Sequence, residues 1–310
     1  MAGKCQWCDV TAEVFLPYAR LKLCRDHFKE YVVKRVKRTV ERYRMIGEGE
    51  RVLVALSGGK DSLVLLHVLS VMANSGDPKL SLKCEVEAVT LDLGIKGYSE
   101  KCVSVARWYC EKLGVPHHTV RLAELAGFTM DHVASRRGRP TCSVCGAVKR
   151  YVLNKFGVEM GFDRLATGHN LDDEAAVLLS NYLSANVEFL ARQYPVLPSR
   201  EGMISRIKPL FEVSESETTM YAQFQGLIPV DGKCPYATNP STHAFKRVLN
   251  TLEEEAPATK IRMVRGFLEK VKPLLEKTSV TPLRKCAVCG YPSSSEVCSF
   301  CRIKRTYGPM

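Results

Sequence analysis

A hexapeptide, SGGKDS at residues 57–62, stands between a stretch with the pattern of an apolar strand and one with the pattern of an apolar helix. The run Arg51–Leu56 is short and apolar, which predicts a buried strand, and Leu63–Met72 predicts a helix. Glycines at this junction let a phosphate approach the backbone, where free N–H groups and the helix dipole attract an anion. We therefore expect a phosphate-binding loop here and call residues 57–62 the phosphate loop.

The spacing of this loop excludes two common nucleotide motifs. A Walker A loop requires G-x-x-x-x-G-K-[ST], and a dinucleotide-binding fold requires G-x-G-x-x-G. Neither occurs at residues 57–62. A kinase, a GTPase or a dinucleotide-dependent enzyme is therefore disfavoured.

Strand and helix patterns alternate after the phosphate loop, which favours an α/β fold with a doubly wound parallel sheet and helices on both faces. Further strands are predicted at Val86–Leu93, His117–Leu122 and Arg164–Gly168, and helices at Ser99–Leu113, Cys145–Gly157 and Asp172–Leu183. The pattern weakens from Phe189 to Val230 and becomes helical again from Thr242 to Lys277. We predict a zinc-binding module at residues 1–30, a catalytic domain at 31–280 and a zinc ribbon at 281–310.

Thirteen cysteines in 310 residues indicate metal or redox chemistry in a reducing compartment. Two groups of four have the paired spacing of structural zinc sites, which hold a fold together and leave no coordination position open. The N-terminal group is Cys5, Cys8, Cys24 and His27, and the C-terminal group is Cys286, Cys289, Cys298 and Cys301. We expect one Zn²⁺ in each.

A third set consists of Cys142, Cys145 and Cys234, with no fourth cysteine or histidine at ligand spacing. On the residues alone, three interpretations stay open: an incomplete zinc site, a redox pair with a spectator, or an iron–sulfur cluster with one iron lacking a protein ligand. The C-x-x-C pair could also form a transient disulfide during persulfide chemistry. The other three cysteines are predicted to be small core residues: Cys84, Cys102 and Cys110.

The charge is strongly positive, with 45 Lys and Arg against 33 Asp and Glu, a net of +12. Eleven basic and five acidic residues lie between Arg20 and Arg51, and a second basic group spans Arg136–Arg139. Separate basic patches suit a polyanion that touches a wide surface. Apolar runs are too short for a membrane span, and no secretion signal is present. We expect a cytoplasmic protein that binds nucleic acid.

Taken in order, these motifs resemble the TtuA-type two-thiouridine synthetases, a branch of the PP-loop ATP pyrophosphatases whose relatives thiolate the wobble uridine of tRNA. The phosphate loop matches the SGGxDS loop of those enzymes. Further matches are Cys142-x-x-Cys145-Gly-x-x-Lys149, Gly168-His-Asn-x-Asp172-Asp173 and Lys233-Cys234-Pro-Tyr236, with a zinc module at each end. The resemblance covers nearly the whole chain.

The resemblance implies a site for each cofactor. Cys142, Cys145 and Cys234 would bind a [4Fe–4S] cluster with one open iron, and Lys149, Asp173 and Asp61 would be catalytic. Asp172 is the expected helix cap, which leaves Asp173 free to reach Mg²⁺ or the nucleotide. ATP would be bound by Ala55, Ser57, Gly58, Gly59, Lys60, Asp61, Ser62, Leu91, Gly168 and Asp173.

The resemblance also implies a reaction and its partners. A tRNA uridine, in the T-loop or at the wobble position, would be adenylated at its C2 oxygen and then thiolated. Sulfur would come from a ubiquitin-like carrier protein or from sulfide, and the enzyme would be a homodimer. Three alternatives are thiolation by a cysteine persulfide without a cluster, another PP-loop ligase such as a lysidine synthetase or an amidotransferase domain, and a non-enzymatic zinc-ribbon RNA-binding protein. The last leaves the phosphate loop unexplained.

Overall fold

The computed structural model describes residues 3–136, 140–237, 242–275 and 283–308. Most of the second basic group, Arg137–Arg139, and the predicted boundary between residues 280 and 281 lie outside these ranges. No described helix combines the length and the apolar character needed to cross a membrane.

A six-stranded sheet forms the centre of the fold, with strand order β5-β4-β3-β6-β8-β7. The first five strands in this order are parallel, which confirms the predicted doubly wound sheet. β7 pairs antiparallel with β8 at one edge, and neither strand was predicted because both lie in the stretch from Phe189 to Val230, where the sequence pattern weakens. The strands are β3 (Arg51–Ala55), β4 (Glu85–Asp92), β5 (His117–Arg121), β6 (Arg164–Ala166), β7 (Val196–Leu197) and β8 (Ser205–Ile207).

Helices cover both faces of this sheet. Alternate residues of β3 point to opposite sides, as strand geometry requires: Val52 and Val54 join one core cluster and Leu53 joins another. The helices are α1 (Arg25–Arg42), α2 (Lys60–Ala73), α3 (Ser99–Leu113), α4 (Leu122–Ala126), α5 (Met130–Ser135), α6 (Thr141–Glu159), α7 (Leu171–Leu183), α8 (Val187–Arg192), α9 (Glu215–Phe224), α10 (Thr242–Glu255), α11 (Thr259–Gly266) and α12 (Lys272–Leu275). A π-helical stretch, Phe267–Val271, joins α11 to α12.

A small module precedes the sheet. It is a hairpin of β1 (Val14–Leu16) and β2 (Leu21–Leu23), and it leads directly into α1. Its Leu23 and the Phe28 side chain of α1 are fully buried in the main core. The module therefore shares its core with the central sheet.

A second module packs on α6. It consists of the hairpin β9 (Arg284–Lys285) and β10 (Pro292–Ser293), followed by α13 (Ser299–Tyr307). The ring of Phe300 stacks on Tyr151 of α6 at a centroid distance of 3.9 Å, with 3° between the planes. This contact fixes the module against the helix that carries Cys142, Cys145 and Lys149.

Candidate active site

The phosphate loop lies at the carboxyl end of β3, between that strand and α2, as the sequence predicts. β3 pairs with β4 on one side and with β6 on the other, so the chain builds the sheet outward from β3 in both directions. Such a switch point leaves a crevice beyond the strand ends, where open α/β sheets bind their ligands. The fold thus places the phosphate loop in the usual ligand position.

The first turn of α2 is open to an anion. Its N-cap is Gly59, which has no side chain to occupy the first N–H groups of the helix. Gly58 has φ +77°, in the left-handed region, and a Cβ there would lie 3.2 Å from the Cys102 backbone. Glycine is therefore required at residue 58, both for its backbone angle and for this close approach. The exposed donors at the helix end can bind a phosphate group.

Two serines hold the loop in shape. The Ser62 hydroxyl donates to the carbonyl oxygen of Gly59 (2.8 Å) and accepts the backbone N–H of Ser57 (3.2 Å). The two hydroxyls also lie 3.1 Å apart. This internal network orders the loop before any ligand binds.

Asp61 is held by groups from three different elements. Its Oδ1 accepts hydrogen bonds from the Thr218 hydroxyl (2.6 Å) of α9 and from the Asn170 side chain (3.3 Å) before α7. The Lys60 ammonium lies 2.8 Å from the same oxygen and 2.9 Å from Thr218 Oγ1. This carboxylate is therefore fixed at the loop, beside a cation.

Gly168 brings the end of β6 against the phosphate loop. A Cβ on this residue would lie 3.0 Å from the Ser62 backbone nitrogen and 3.1 Å from the Asp61 carbonyl carbon. Because both neighbours are backbone atoms, no side chain can rotate away to make room. Only glycine permits the two loops to lie in contact.

The cap of α7 differs from the expectation. The N-cap is Asn170, whose side chain accepts the backbone N–H of Asp173 (3.1 Å), while Asp173 accepts the N–H of Asn170 (3.2 Å). The prediction that Asp172 caps this helix is therefore wrong. Asp172 is buried and binds the Glu215 backbone N–H (2.7 Å) and the Lys260 ammonium (2.5 Å).

Asp173 has a second partner. Its Oδ1 lies 2.6 Å from the Lys246 ammonium of α10, which also contacts Glu215 at 2.8 Å. Burial alone would lower the pKa of Lys246, but the hydrogen bonds to the two carboxylates outweigh burial and raise it above its usual value. Asp173 thus completes the cap of α7 and forms an ion pair with Lys246.

Two apolar residues predicted near ATP also lie at this edge of the sheet. Ala55 ends β3 and pairs with Val89, and Leu91 lies two residues further along β4, beyond the end of β3. Leu91 packs against the core cluster that contains Val144 and Val148 of α6. Both positions are consistent with the apolar side of a nucleotide site.

The three cysteines of the central set, Cys142, Cys145 and Cys234, lie on two segments that contact each other, and we call them the cysteine wall. Cys142 and Cys145 are in the first two turns of α6, and the Cys142 thiol donates to the carbonyl oxygen of Tyr236 (3.0 Å), two residues after Cys234. The Tyr236 hydroxyl donates to Asp131 of α5 (2.7 Å). These contacts fix the segment that carries Cys234 against the start of α6.

Lys149 lies one helical turn beyond Cys145, as predicted. Burial raises the pKa of the Cys145 thiol, the positive charge of Lys149 opposes this rise, and the thiolates of Cys234 and Cys142 add to it. Each of these groups is thus close enough to influence Cys145. Lys149 and the three thiols therefore lie near one another.

Cys102 is buried in α3, as predicted for a core residue, but it also borders this neighbourhood. Its backbone lies close to Gly58. Burial raises the pKa of its thiol, the charge of Lys149 opposes that rise, and the charge of Cys234 adds to it. A core cysteine on a crossover helix carries no local signal of this position. Asn170, by contrast, stands inside the Gly168-His-Asn motif and could have been found from it.

The two terminal groups converge as their spacing predicts. In each group the four ligand atoms lie within 4.8 Å of one another, which suits a single metal ion. His27 Nδ1 lies 3.3 Å from Cys5 Sγ and 3.4 Å from Cys24 Sγ. Burial opposes thiolate formation at Cys286, but backbone N–H donors outweigh it and lower the pKa to about 6. Thiolates are the ligands that zinc prefers.

Comparison with known proteins identifies the family. A model described as a PP-loop domain matches residues 29–231. The tRNA-5-methyluridine(54) 2-sulfurtransferase of Pyrococcus horikoshii is 44% identical over 299 residues, which cover 96% of this chain and 93% of that protein. This chain belongs to the TtuA-type family. The Thermus thermophilus enzyme of the same name is a second TtuA-type relative, 41% identical over 96% of this chain and 90% of its own.

A solved structure agrees with the TtuA-type assignment. It is described as the U34-tRNA thiolase NcsA from Methanococcus maripaludis with its [4Fe-4S] cluster. This structure has a TM-score of 0.82 and 28% identity, and the match covers 99% of this chain and 97% of NcsA. The resemblance seen in the sequence is confirmed, and TtuA-type relatives are sulfur-transferring enzymes.

Proposed function

We propose that this TtuA-type protein is a tRNA uridine 2-sulfurtransferase that uses ATP to activate the C2 oxygen of uridine. The observation that carries the proposal is a direct link between the phosphate loop and the cysteine wall. The backbone N–H of Val230 donates to the Gly58 carbonyl oxygen (2.9 Å), and Cys234 follows four residues later. A nucleotide on the loop would therefore lie beside the three thiols.

We propose uridine 54 as the target, methylated at C5 as in the named relatives. The relatives named for position 54 are 44% and 41% identical to this chain, whereas NcsA, named for position 34, is 28% identical. The sequence motifs alone favoured neither position. The comparison with relatives supports the T-loop.

In the first step the uridine O2 attacks the α-phosphorus of ATP, and pyrophosphate leaves. The backbone donors of Gly58 and Gly59 would hold the β- and γ-phosphates, and Lys60 would offset the charge of the departing group. Asp61 and Asp173 supply the carboxylate oxygens that Mg²⁺ prefers. Their fixed positions lower the cost of organising the site.

In the second step sulfide attacks C2 of the adenylated uridine. The electron pair of the C2–O bond leaves with AMP, which carries away the original O2. Negative charge develops on that oxygen as the bond breaks. Lys149, one turn from Cys145, is placed to stabilise it.

The residues of the cysteine wall fit an iron–sulfur cluster. Cys145 and Cys234 are half-buried and pack against the same apolar cluster, and the exposed Cys142 contacts the segment that carries Cys234. Soft thiolate donors in such surroundings are typical of these clusters. Cys142, Cys145 and Cys234 would hold a [4Fe–4S] cluster, which when bound would supply an iron without a protein ligand, where sulfide can bind. A persulfide on one of these cysteines is the alternative.

The test is an anaerobic purification followed by iron analysis and a thiolation assay with tRNA, ATP and sulfide. We expect about four irons per chain and ATP-dependent thiouridine at position 54. Cys234→Ser should lose both iron and activity. A matched control is Cys84→Ser, because Cys84 is half-buried at the start of β4, and burial raises its thiol pKa to about 11.

Two outcomes would contradict parts of this proposal. An iron-free protein that still makes thiouridine from sulfide would keep the thiolase function and overturn the cluster assignment of Cys142, Cys145 and Cys234. Iron-loaded protein that thiolates no tRNA would overturn the substrate assignment. A sulfur carrier protein as donor, homodimerisation and a cytoplasmic location stay predictions, and relatives such as the cytoplasmic tRNA 2-thiolation protein 1 of Chlamydomonas reinhardtii support the location.

A further inference from the structure

A cavity of about 330 Å³ lies between α1 and α11, away from the phosphate loop. Five guanidinium groups and one carboxylate contribute to its lining, an excess of four positive charges. We call it the arginine pocket. Its charged lining residues are Arg35, Arg38, Arg42, Arg262, Arg265 and Glu212.

Ion pairs hold part of this lining in place. Arg265 donates to both oxygens of Glu212 (2.8 and 2.5 Å), and Arg42 donates to Oε1 at 3.0 Å. Burial opposes ionisation of Glu212, but its hydrogen bond to Arg265 and the two arginine charges outweigh burial and lower its pKa. Arg35 is buried and pairs with Glu217 at 3.0 Å. The floor of the pocket is therefore rigid.

Two arginines at the mouth remain available. Arg38 and Arg262 are both exposed, and neither has an ion pair within the described part of the chain. A guanidinium group offers a planar fork of donors that matches the oxygens of a phosphate. Arg38 lies on α1 and Arg262 on α11, so two helices each offer a guanidinium donor to a phosphate in the pocket.

A second cavity, of about 480 Å³, adjoins the first because Arg38 and Tyr31 line both. It leads along α1 to Trp7, which is 41% exposed, and Lys34 lies 5.6 Å from the Trp7 ring centre. An exposed indole beside cations is the arrangement that stacks bases while the cations contact the backbone. The two cavities together form a track.

One helix, α9, contacts both the track and the phosphate loop. Glu217 of α9 holds Arg35 in the arginine pocket, and the next residue, Thr218, holds Asp61 and Lys60 in the loop. A nucleic-acid strand bound in the track would thus lie beside α9, the helix that also contacts the phosphate loop. The ATP phosphates have their own loop, so the track serves a different polyanion.

We propose that the arginine pocket and its adjoining cavity bind the phosphodiester backbone of the RNA substrate, with Arg38 and Arg262 contacting phosphates. The inference rests on the proposed tRNA function and adds the surface that positions the substrate. The proposed ligand is an RNA strand rather than a single anion, because the two cavities extend from α11 to the N-terminal module.

The test compares two double variants that remove the same charge. Arg38→Ala with Arg262→Ala changes the pocket, and Lys101→Ala with Arg107→Ala removes two exposed, unpaired cations of α3 from the described surface. Binding of an unmodified tRNA transcript is measured by fluorescence anisotropy over a range of salt concentrations. For the pocket variant we expect affinity to fall at least about tenfold and the slope of log K against log salt to fall by about 1.4 to 1.8. The α3 variant should match wild type.

Two further readouts separate the possible failures. Arg38→Lys with Arg262→Lys should recover most of the salt slope, and the pocket variant should raise KM for tRNA with little change in kcat. Equal binding by the pocket variant and wild type, or equal loss in both double variants, would overturn the proposal while leaving the thiolase function intact. If wild-type protein neither binds nor thiolates tRNA, both proposals fall together.

Discussion

Gly168 lies so close to Ser62 that a Cβ on residue 168 would sit 3.0 Å from the Ser62 backbone nitrogen. This contact joins the loops that follow β3 and β6 at the switch point of the sheet. Real Cβ atoms rarely approach backbone so closely, and neither loop can move without disturbing Asp61 or Asn170. The phosphate loop therefore depends on a glycine more than a hundred residues away.

We expect Gly168→Ala to displace the phosphate loop and to weaken ATP binding by at least about tenfold, or about 1.4 kcal/mol. Isothermal titration with a non-hydrolysable ATP analogue measures this directly. Gly266→Ala is the matched control. Gly266 ends α11 in helical geometry, and a Cβ there meets no atom within 4 Å. Equal affinity in both variants would contradict the role given to Gly168.

Thr218→Val should uncouple Asp61 from α9. The hydroxyl donates to Asp61 and accepts from Lys60, whereas the methyl group of valine can do neither. We expect kcat/KM for ATP to fall about tenfold, with a stability loss of about 1 kcal/mol. Thr219→Val removes a hydroxyl that donates to the Glu215 carbonyl, so it serves as the control. If both variants lose the same activity, the Asp61 contact is not important.

Asp172 and Asp173 should separate into a structural and a catalytic residue. Asp172→Asn leaves the buried Lys260 ammonium without its charged partner, so the free energy of unfolding should fall by about 3 kcal/mol with activity retained at low temperature. The pair replacement Asp172→Leu with Lys260→Met should recover only part of this loss, because the Glu215 backbone N–H then lacks its acceptor. Asp173→Asn should instead lower kcat with a smaller change in stability. Urea unfolding and single-turnover thiolation distinguish the two, and the reverse pattern would refute this division.

His67 should make stability depend on pH. Burial lowers its pKa in the folded protein, as do the charges of Lys112 and Lys29, whereas the unfolded side chain titrates near pH 6.5, about its ordinary value. The unfolded chain thus binds the proton more readily, so stability present above about pH 6.5 is lost as the pH falls toward the lower folded pKa. We expect His67→Gln to reduce the shift in urea midpoint between about pH 7.5 and about pH 5.5. An unchanged shift would exclude His67 as a contributor.

The C-terminal cysteine group should hold its own metal ion. Cys289 and Cys298 lie 3.8 Å apart at the base of α13, which is stacked on α6 through Phe300 and Tyr151. We expect Cys289→Ser to lower the zinc content from about two ions per chain to about one. Limited proteolysis should then cleave the C-terminal module first. Unchanged zinc content would show that residue 289 is not a ligand.

Local patterns in the sequence were sufficient for the architecture. Period and length distinguish buried strands from helices, so β3, α3 and α7 lie within a few residues of their predicted bounds. Paired cysteine spacing predicted both terminal clusters because a tetrahedral ion needs ligands on short, close turns. The strands β7 and β8 were not predicted because they lie between Phe189 and Val230, where neither the strand period nor the helix period is kept.

Which distant groups meet at the site became visible only once the helices were seen packed together. Thr218 and Lys246 reach Asp61 and Asp173 from α9 and α10, and no local pattern links residues so far apart in sequence. The roles of Asp172 and Asp173 are equally invisible in sequence. Neighbouring residues of a helix point about 100° apart, so Asp173 pairs with Lys246 and Asp172 pairs with Lys260. The loop, the central sheet and the two convergent terminal cysteine groups could be predicted because each depends on short-range geometry. The partners of Asp61 and Asp173 could not, because they depend on how distant helices pack.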